Sequence, residues 1–132
     1  MTRLETIKAI FDEGEWLTAE QLNAMQPKPL ARKSLPASGW ERRGRIFGVR
    51  LGGQEYFAKY QFDEYYKPLP IIKDILLRLG TVSDSWTIAA WFHFPNGWLS
   101  SAAGEPLASK DALDQRAAIL RAAANREGSY VA

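Results

Sequence analysis

The chain contains no cysteine, which excludes disulfides, thiolate metal sites and a cysteine nucleophile and is compatible with a reducing compartment. It contains one histidine, His93, so a histidine-pair metal site cannot form within a single chain. Gly-rich phosphate loops of the P-loop or dinucleotide kind are missing as well. No run approaches the ~18 apolar residues of a membrane span. The segment Met1 to Lys8 is charged throughout and carries no apolar leader core. These absences lead to the expectation of a cytoplasmic protein without cofactor, metal or membrane association, and of a protein that is not an enzyme. His93, flanked by Phe92 and Phe94, fits a core or interface histidine better than a catalytic base. The carboxylate pairs Asp12-Glu13 and Asp63-Glu64 lie beside helix ends or turns, where solvation and the helix dipole account for them.

What is present is enough apolar surface for a core: 132 residues, 46% hydrophobic, with five Trp, five Tyr and six Phe. This is the length of one ordinary domain or two very small ones. The formal net charge of +2 is unevenly spread. Residues 1–25 are net acidic, whereas residues 26–50 hold Lys28, Arg32, Lys33, Arg42, Arg43, Arg45 and Arg50 against Glu41 alone. Such a local basic block fits a phosphate-binding surface or, more simply, a solvated loop.

Leu4, Ile7, Ile10 and Phe11 recur at helical spacing after a Thr2/Glu5 capping box, and Gly14 ends that helix. A second box, Thr18 with Gln21, opens a short helix through Met25, stopped by Pro27 and Pro29. Residues 30–43 hold a third helix, short or broken because Pro36 and Gly39 lie inside it. Residues 45–51 and 54–60 read as strands around Gly52-Gly53, a two-residue hairpin turn in which both positions accept positive φ. After a connector with two tyrosines, Pro68 opens a helix through Leu79, capped by Gly80. Ser83 or Asp84 caps an aromatic helix from Trp86 to Phe94, apolar nearly all round, which Pro95 breaks. Asn96 to Ser100 reads as one further turn, and a last helix runs from an N-cap at Ser109 to Arg126.

The basic segment Trp40-Glu-Arg-Arg-Gly-Arg-Ile-Phe followed by a hairpin resembles the wing of the small winged helix-turn-helix domains of MerR-type regulators and phage excisionases. The resemblance agrees with DNA binding by the basic block, in which Arg32, Lys33, Arg42, Arg43 and Arg45 are the candidate phosphate contacts and Arg32, Lys33 or Ser34 the candidate groove readers. Trp40 is expected as a core anchor rather than a base-stacking residue.

The stretch Trp86 to Leu99 followed by Pro106-Leu107 resembles the C-terminal module of antitoxins of the MbcA/ParS/Xre family, with its aromatic helix, Pro-Asn turn, apolar residue three positions on and following Pro. The resemblance covers roughly the last third of the chain. It implies a helical module that assembles as a homodimer or larger and occludes a RES-domain toxin that degrades NAD. Carried over by position, Pro95, Asn96 and Leu99 match the turn, and the tail residues Arg126, Glu127 and Tyr130 would approach the toxin's nucleotide pocket. Trp98, beside Gly97 after the proline break, is a candidate exposed contact.

The expected fold is therefore mainly α with one β-hairpin. It has a winged helix-turn-helix-like part over residues 1–63 and a helical bundle over 68–132 for toxin binding or dimerisation. The expected function is an antitoxin that blocks a cognate toxin and represses its own operon on operator DNA. The alternatives are an excisionase- or MerR-like transcription or recombination accessory factor without a toxin partner, and a structural interaction module with an idle basic patch.

Overall fold

A computed structural model describes residues 2–27, 35–82 and 84–126. In chain order the elements are α1 (Arg3–Glu13), β1 (Trp16–Leu17), α2 (Ala19–Ala24), α3 (Pro36–Arg42), β2 (Val49–Leu51), β3 (Gln54–Ala58), α4 (Pro70–Leu79), α5 (Ser85–His93), β4 (Pro95–Ser100), β5 (Pro106–Ala108) and α6 (Arg116–Ala124). Short 3-10 turns cover Lys59–Gln61 and Ser109–Asp111. The fold is mixed and mainly helical, with small antiparallel sheets, and divides into two compact units, Met1–Lys73 and Asp74–Ala132. The division falls inside α4. Among the described residues no helix is long and apolar enough to cross a membrane.

In the first unit, the Thr2 hydroxyl accepts the Glu5 N–H and so starts α1, while Gly14 ends it. Just beyond, the Trp16 indole N–H donates to the Phe11 carbonyl at 3.1 Å, and the two rings stack at 5.6 Å. Phe11 also meets Tyr56 of β3 edge-on at 5.0 Å, which fastens α1 to the sheet. The strand at Trp16–Leu17 was not legible in the sequence, because two residues carry no alternation. The Thr18–Gln21 capping box is complete in both directions and opens α2. α3 is short: Pro36 occupies its first turn, where a missing N–H costs nothing, and Gly44 at φ +73° follows its end. The part of the expected third helix over 30–34 lies outside the described residues.

β3 is the middle strand of the order β1-β3-β2. Trp16 and Leu17 face Ala58 and Phe57 across one edge, and Val49, Arg50 and Leu51 face Tyr56, Glu55 and Gln54 across the other. Gly52 and Gly53 take φ +59° and +81°, the conformation a two-residue hairpin turn requires. The strands are shorter than expected, since residues 45–48 and 59–60 lie outside them. The reason is Gln61. Its side chain is fully buried, accepts the Phe47 N–H at 2.8 Å and donates to the carbonyls of Phe47 at 3.0 Å and Ala58 at 3.3 Å. The backbone near Phe47 therefore pairs with a side chain where a ladder would have continued. Leu22, Ala37, Trp40, Ile46, Phe57 and Phe62 make the core, with Leu17, Ala19 and Tyr66 packed on it.

The connector is held just as firmly. The Asp63 carboxylate accepts the N–H groups of Tyr65 and Lys67, Tyr66 is driven to φ +58°, and the Gln26 amide donates to the carbonyls of Leu22 and Tyr66. Pro68 does not start a helix as expected: it is bridged to Phe62, with the Leu69 N–H donating to Gln61, and α4 begins at Pro70.

The second unit departs further from expectation. Asp84 caps α5 by accepting the Trp86 N–H at 3.0 Å, and Trp86, Ala89, Trp91 and Phe92 are buried on different sides of the helix, as an all-round apolar pattern requires. The further helical turn expected at Asn96 to Ser100 is instead β4, paired with β5 as a hairpin, so the unit is not a purely helical bundle. Its turn is the Ser101–Glu105 stretch, where the Ser101 hydroxyl accepts the N–H groups of Ala103 and Glu105 and Gly104 takes φ +81°. Nor does Ser109 cap the last helix. Its buried hydroxyl accepts from the Asn96 amide at 3.2 Å, so the chain makes a 3-10 turn there and α6 starts at Arg116. α6 packs on β4, and Arg116 pairs with Asp74 at 2.8 Å.

Truncating Gln61 to Ala strands a buried N–H and two carbonyls, so Gln61→Ala is expected to lower the unfolding free energy by roughly 2–4 kcal/mol. Urea denaturation followed by circular dichroism reads this, and a loss below ~1 kcal/mol would show that water replaces the side chain.

Candidate nucleic-acid interface

The residues predicted to meet DNA separate into two sets. Arg32, Lys33 and Ser34 lie outside the described residues. Arg42 and Arg43, at the end of α3, are exposed, and Arg45 is half-buried just beyond it. Arg45 is placed by its backbone, whose N–H donates to the Trp40 carbonyl at 2.9 Å. The Arg43 guanidinium folds back along α3 over Gly39, where an added Cβ would lie 3.2 Å from Nη2. Trp40 is buried against Phe62 at a ring separation of 6.1 Å, with Lys67 5.9 Å above the indole. It is a core anchor, as expected, and it sets the rotation of α3 that leaves Arg42 and Arg43 outside.

The hairpin adds a cation that was not among the candidates. Arg50 on β2 is exposed and donates from Nη2 to the Gly53 carbonyl at 3.1 Å, which holds its guanidinium beside the turn. Its proximity to Glu55 was readable, because a Gly52-Gly53 turn sets Arg50 opposite Glu55. The approach of Glu41 to the same spot was not. Glu41 on α3 is half-buried, hydrogen-bonded to the Glu55 carboxyl and within the field of Arg50. Desolvation, then that hydrogen bond and the charge of Glu55, push the Glu41 carboxyl up from 4.5 to about 7, with Arg50 opposing. Glu55 is confined on its other side: a Cβ on Gly48 would fall 2.7 Å from its Oε2 and 2.9 Å from Phe57. Arg50 of the hairpin thus acts on an acid pair contributed by α3 and β3.

In the second unit the candidate toxin contacts do not share one surface. Asn96 is 9% exposed and Leu99 1%, whereas Pro95 is exposed and Trp98 is 41% exposed. The Asn96 carbonyl oxygen accepts the Trp98 N–H at 2.9 Å while its amide holds Ser109, so Asn96 acts as a brace inside the hairpin. Arg126 is half-buried just after α6, and Glu127 and Tyr130 lie outside the described residues. Comparison of the chain with protein-family models, with curated proteins and with solved structures gives no match.

The raised Glu41 pKa has a definite sign for stability. Between 4.5 and about 7 the folded state holds a proton that the unfolded chain has released, so the unfolding free energy falls as pH rises through that window and levels off above it. Glu41→Gln is expected to remove this part of the pH dependence and to be more stable than wild type at alkaline pH. Denaturation midpoints across the window check it, and parallel wild-type and variant curves would refute it.

Proposed function

We propose that the first unit is a winged helix-turn-helix module that binds double-stranded DNA, with α2 and α3 as the helix pair and the β2–β3 hairpin as the wing. The observation that carries this reading is that one unit holds the exposed Arg42 and Arg43 at the end of α3, the half-buried Arg45 just beyond it and the exposed Arg50 on the hairpin. The arrangement supports it: α3 is anchored from beneath by Trp40, and the hairpin is tied into a three-stranded sheet. An isolated two-stranded hairpin is marginal in water, so its union with β1 and with Gln61 is what makes it a rigid arm. Phosphate contacts from such a surface supply affinity and orientation, and the local basic charge draws the duplex in. The resulting activity is that of a DNA-binding regulator or accessory factor of the MerR or excisionase kind.

One observation favours a second reading, in which the other unit binds and occludes a toxin of the RES-domain type and the chain is an autorepressing antitoxin. Trp98 is a large aromatic left exposed on the β4–β5 hairpin beside the exposed Pro95 and Gly97, the composition of a contact anchor. In that reading Asn96 and Leu99 build the hairpin that presents Trp98 and do not touch the partner.

Binding to a mixed-sequence duplex, measured by fluorescence anisotropy across a salt series, is expected to give a slope of log affinity on log salt of about −4 to −5. The double variant Arg42→Ala/Arg43→Ala should shallow that slope by about 2 without unfolding the unit. No binding at low salt would end the DNA reading. For the second reading, co-expression with the product of the adjacent gene is expected to give a complex that suppresses its toxicity, and Trp98→Ala should weaken that complex by roughly tenfold or more. Retention of neither binding nor protection by the full-length chain would remove it.

A further inference from the structure

Gly39 sits inside α3, where glycine is a poor choice: it loses more backbone freedom on folding than alanine and weakens the helix. Nothing else in the fold asks for it. Gly39 takes no positive φ, and the three atoms nearest to an added Cβ all belong to the Arg43 guanidinium, Nη2 at 3.2 Å, Nη1 at 3.4 Å and Cζ at 3.6 Å. At Gly48, by contrast, an added Cβ would fall 2.9 Å from Phe57 of the core. The missing side chain at position 39 therefore makes room for one group. Helical side chains lean toward the N-terminus over the residue four positions back, which is how residue 43 comes to cover residue 39. The backbone of Arg43 is fixed as well: its N–H donates to the Gly39 carbonyl at 3.1 Å, and the Gly44 N–H donates to the Glu41 carbonyl at 3.0 Å. Yet among the described residues none accepts a hydrogen bond from the Arg43 guanidinium or pairs with its charge, and the same holds for Arg42 and Arg45. Arg43 is a cation that has a seat and no counter-charge.

We propose that Gly39 is a positioning residue for DNA binding: by lacking a Cβ it seats the Arg43 guanidinium against α3, so that a donor group already in place meets a backbone phosphate of the duplex. This rests on the DNA reading of the same unit. Arg43 as a whole is exposed, so the seated guanidinium is open to an external anion. An arginine that moves freely must give up rotamer freedom when it grips a phosphate, whereas one that is already lodged gives up less. The cost of glycine within the helix is thus offset by a lower cost of binding. Alanine at position 39 reverses that balance. Its Cβ displaces the far end of a flexible side chain, which the fold tolerates, and the helix gains a better helix former. The charge of Arg43 is untouched, so the long-range attraction to phosphate and the number of counterions released stay the same while the short-range grip loosens.

The test is a cycle of four proteins, wild type, Gly39→Ala, Arg43→Ala and the double variant, each measured by anisotropy with one mixed-sequence duplex across a salt series and by urea denaturation. Nitrogen-15 relaxation of the Arg43 Nε–H in the free protein reads the seat directly. Gly39→Ala is expected to unfold at a urea concentration equal to or above that of wild type and to keep the wild-type salt slope. Its affinity for the duplex should nevertheless fall about threefold to tenfold, the range set by immobilising one rotamer-rich side chain. Arg43→Ala should shallow the slope by about one, and in its background Gly39→Ala should cost no further affinity. The Arg43 Nε–H should be ordered in wild type and mobile in Gly39→Ala. Affinity unchanged by Gly39→Ala, a loss of the same size when Arg43 is already absent, or an Arg43 Nε–H as mobile in wild type as in the variant overturns the positioning role and leaves the DNA reading intact. A wild-type protein that binds no duplex at any salt concentration overturns the DNA reading, and the role of Gly39 in binding falls with it.

Discussion

Everything in the first unit depends on one buried amide. Gln61 has no exposure to solvent, and its side chain pairs with both backbone groups of Phe47, fourteen residues earlier, as if it were a strand neighbour. Between the two lies the whole hairpin. The contact therefore closes the β2–β3 excursion at its base, while its own N–H and C=O stay available for the chain on either side, the C=O accepting from Leu69. A polar group with no exposure is tolerated only when its capacity is met, and here it is met by backbone groups that would otherwise be orphaned. The geometry of the hairpin relative to α3 follows from that closure and from Trp40 beneath the helix.

Given that frame, the charged residues fall into place by exclusion. The core claims the apolar face of α3, Ala37 and Trp40, so Arg42 and Arg43 are turned to solvent. The two-glycine turn sets Arg50 opposite Glu55, and the Glu55 carboxylate lies over Gly48. Glu41, one residue after Trp40, meets it there. The acid pair is thus a consequence of how helix and hairpin are locked together.

The second unit uses its polar residues in the same manner. Asn96 satisfies Trp98 and Ser109 at once, so that a strand stands where a helical turn was expected and a 3-10 turn where a helix cap was expected. Burial then divides the motif: Asn96 and Leu99 go inward, and Pro95 and Trp98 remain outside. A motif whose residues were all candidates for contact has become a scaffold that presents one aromatic residue.

By itself the sequence determined those features whose physical cause is local. The N-cap at Thr2, the capping box at Thr18, the stop at Gly14, the Gly52-Gly53 hairpin, a cap for α5 at Ser83 or Asp84 and the all-round apolar α5 each depend on residues within a turn or two of one another, and each was legible. So were the mainly helical fold with its hairpin, the burial of Trp40 and the exposure of Trp98. What only the tertiary structure decided was set by partners distant in the chain. The two-residue strand β1 exists because β3 offers it an edge. Strands β2 and β3 end where Gln61 takes over their hydrogen bonds. The Pro95–Ser100 segment is extended because β5 and Ser109 pair with it rather than because of its own propensity. Glu41 meets Glu55 because packing of Trp40 brings α3 against β3. Local hydrogen bonds and turn geometry can be read along a chain, whereas the pairing of a side chain with backbone or carboxylate far away in sequence appears only once the core has chosen which surfaces meet.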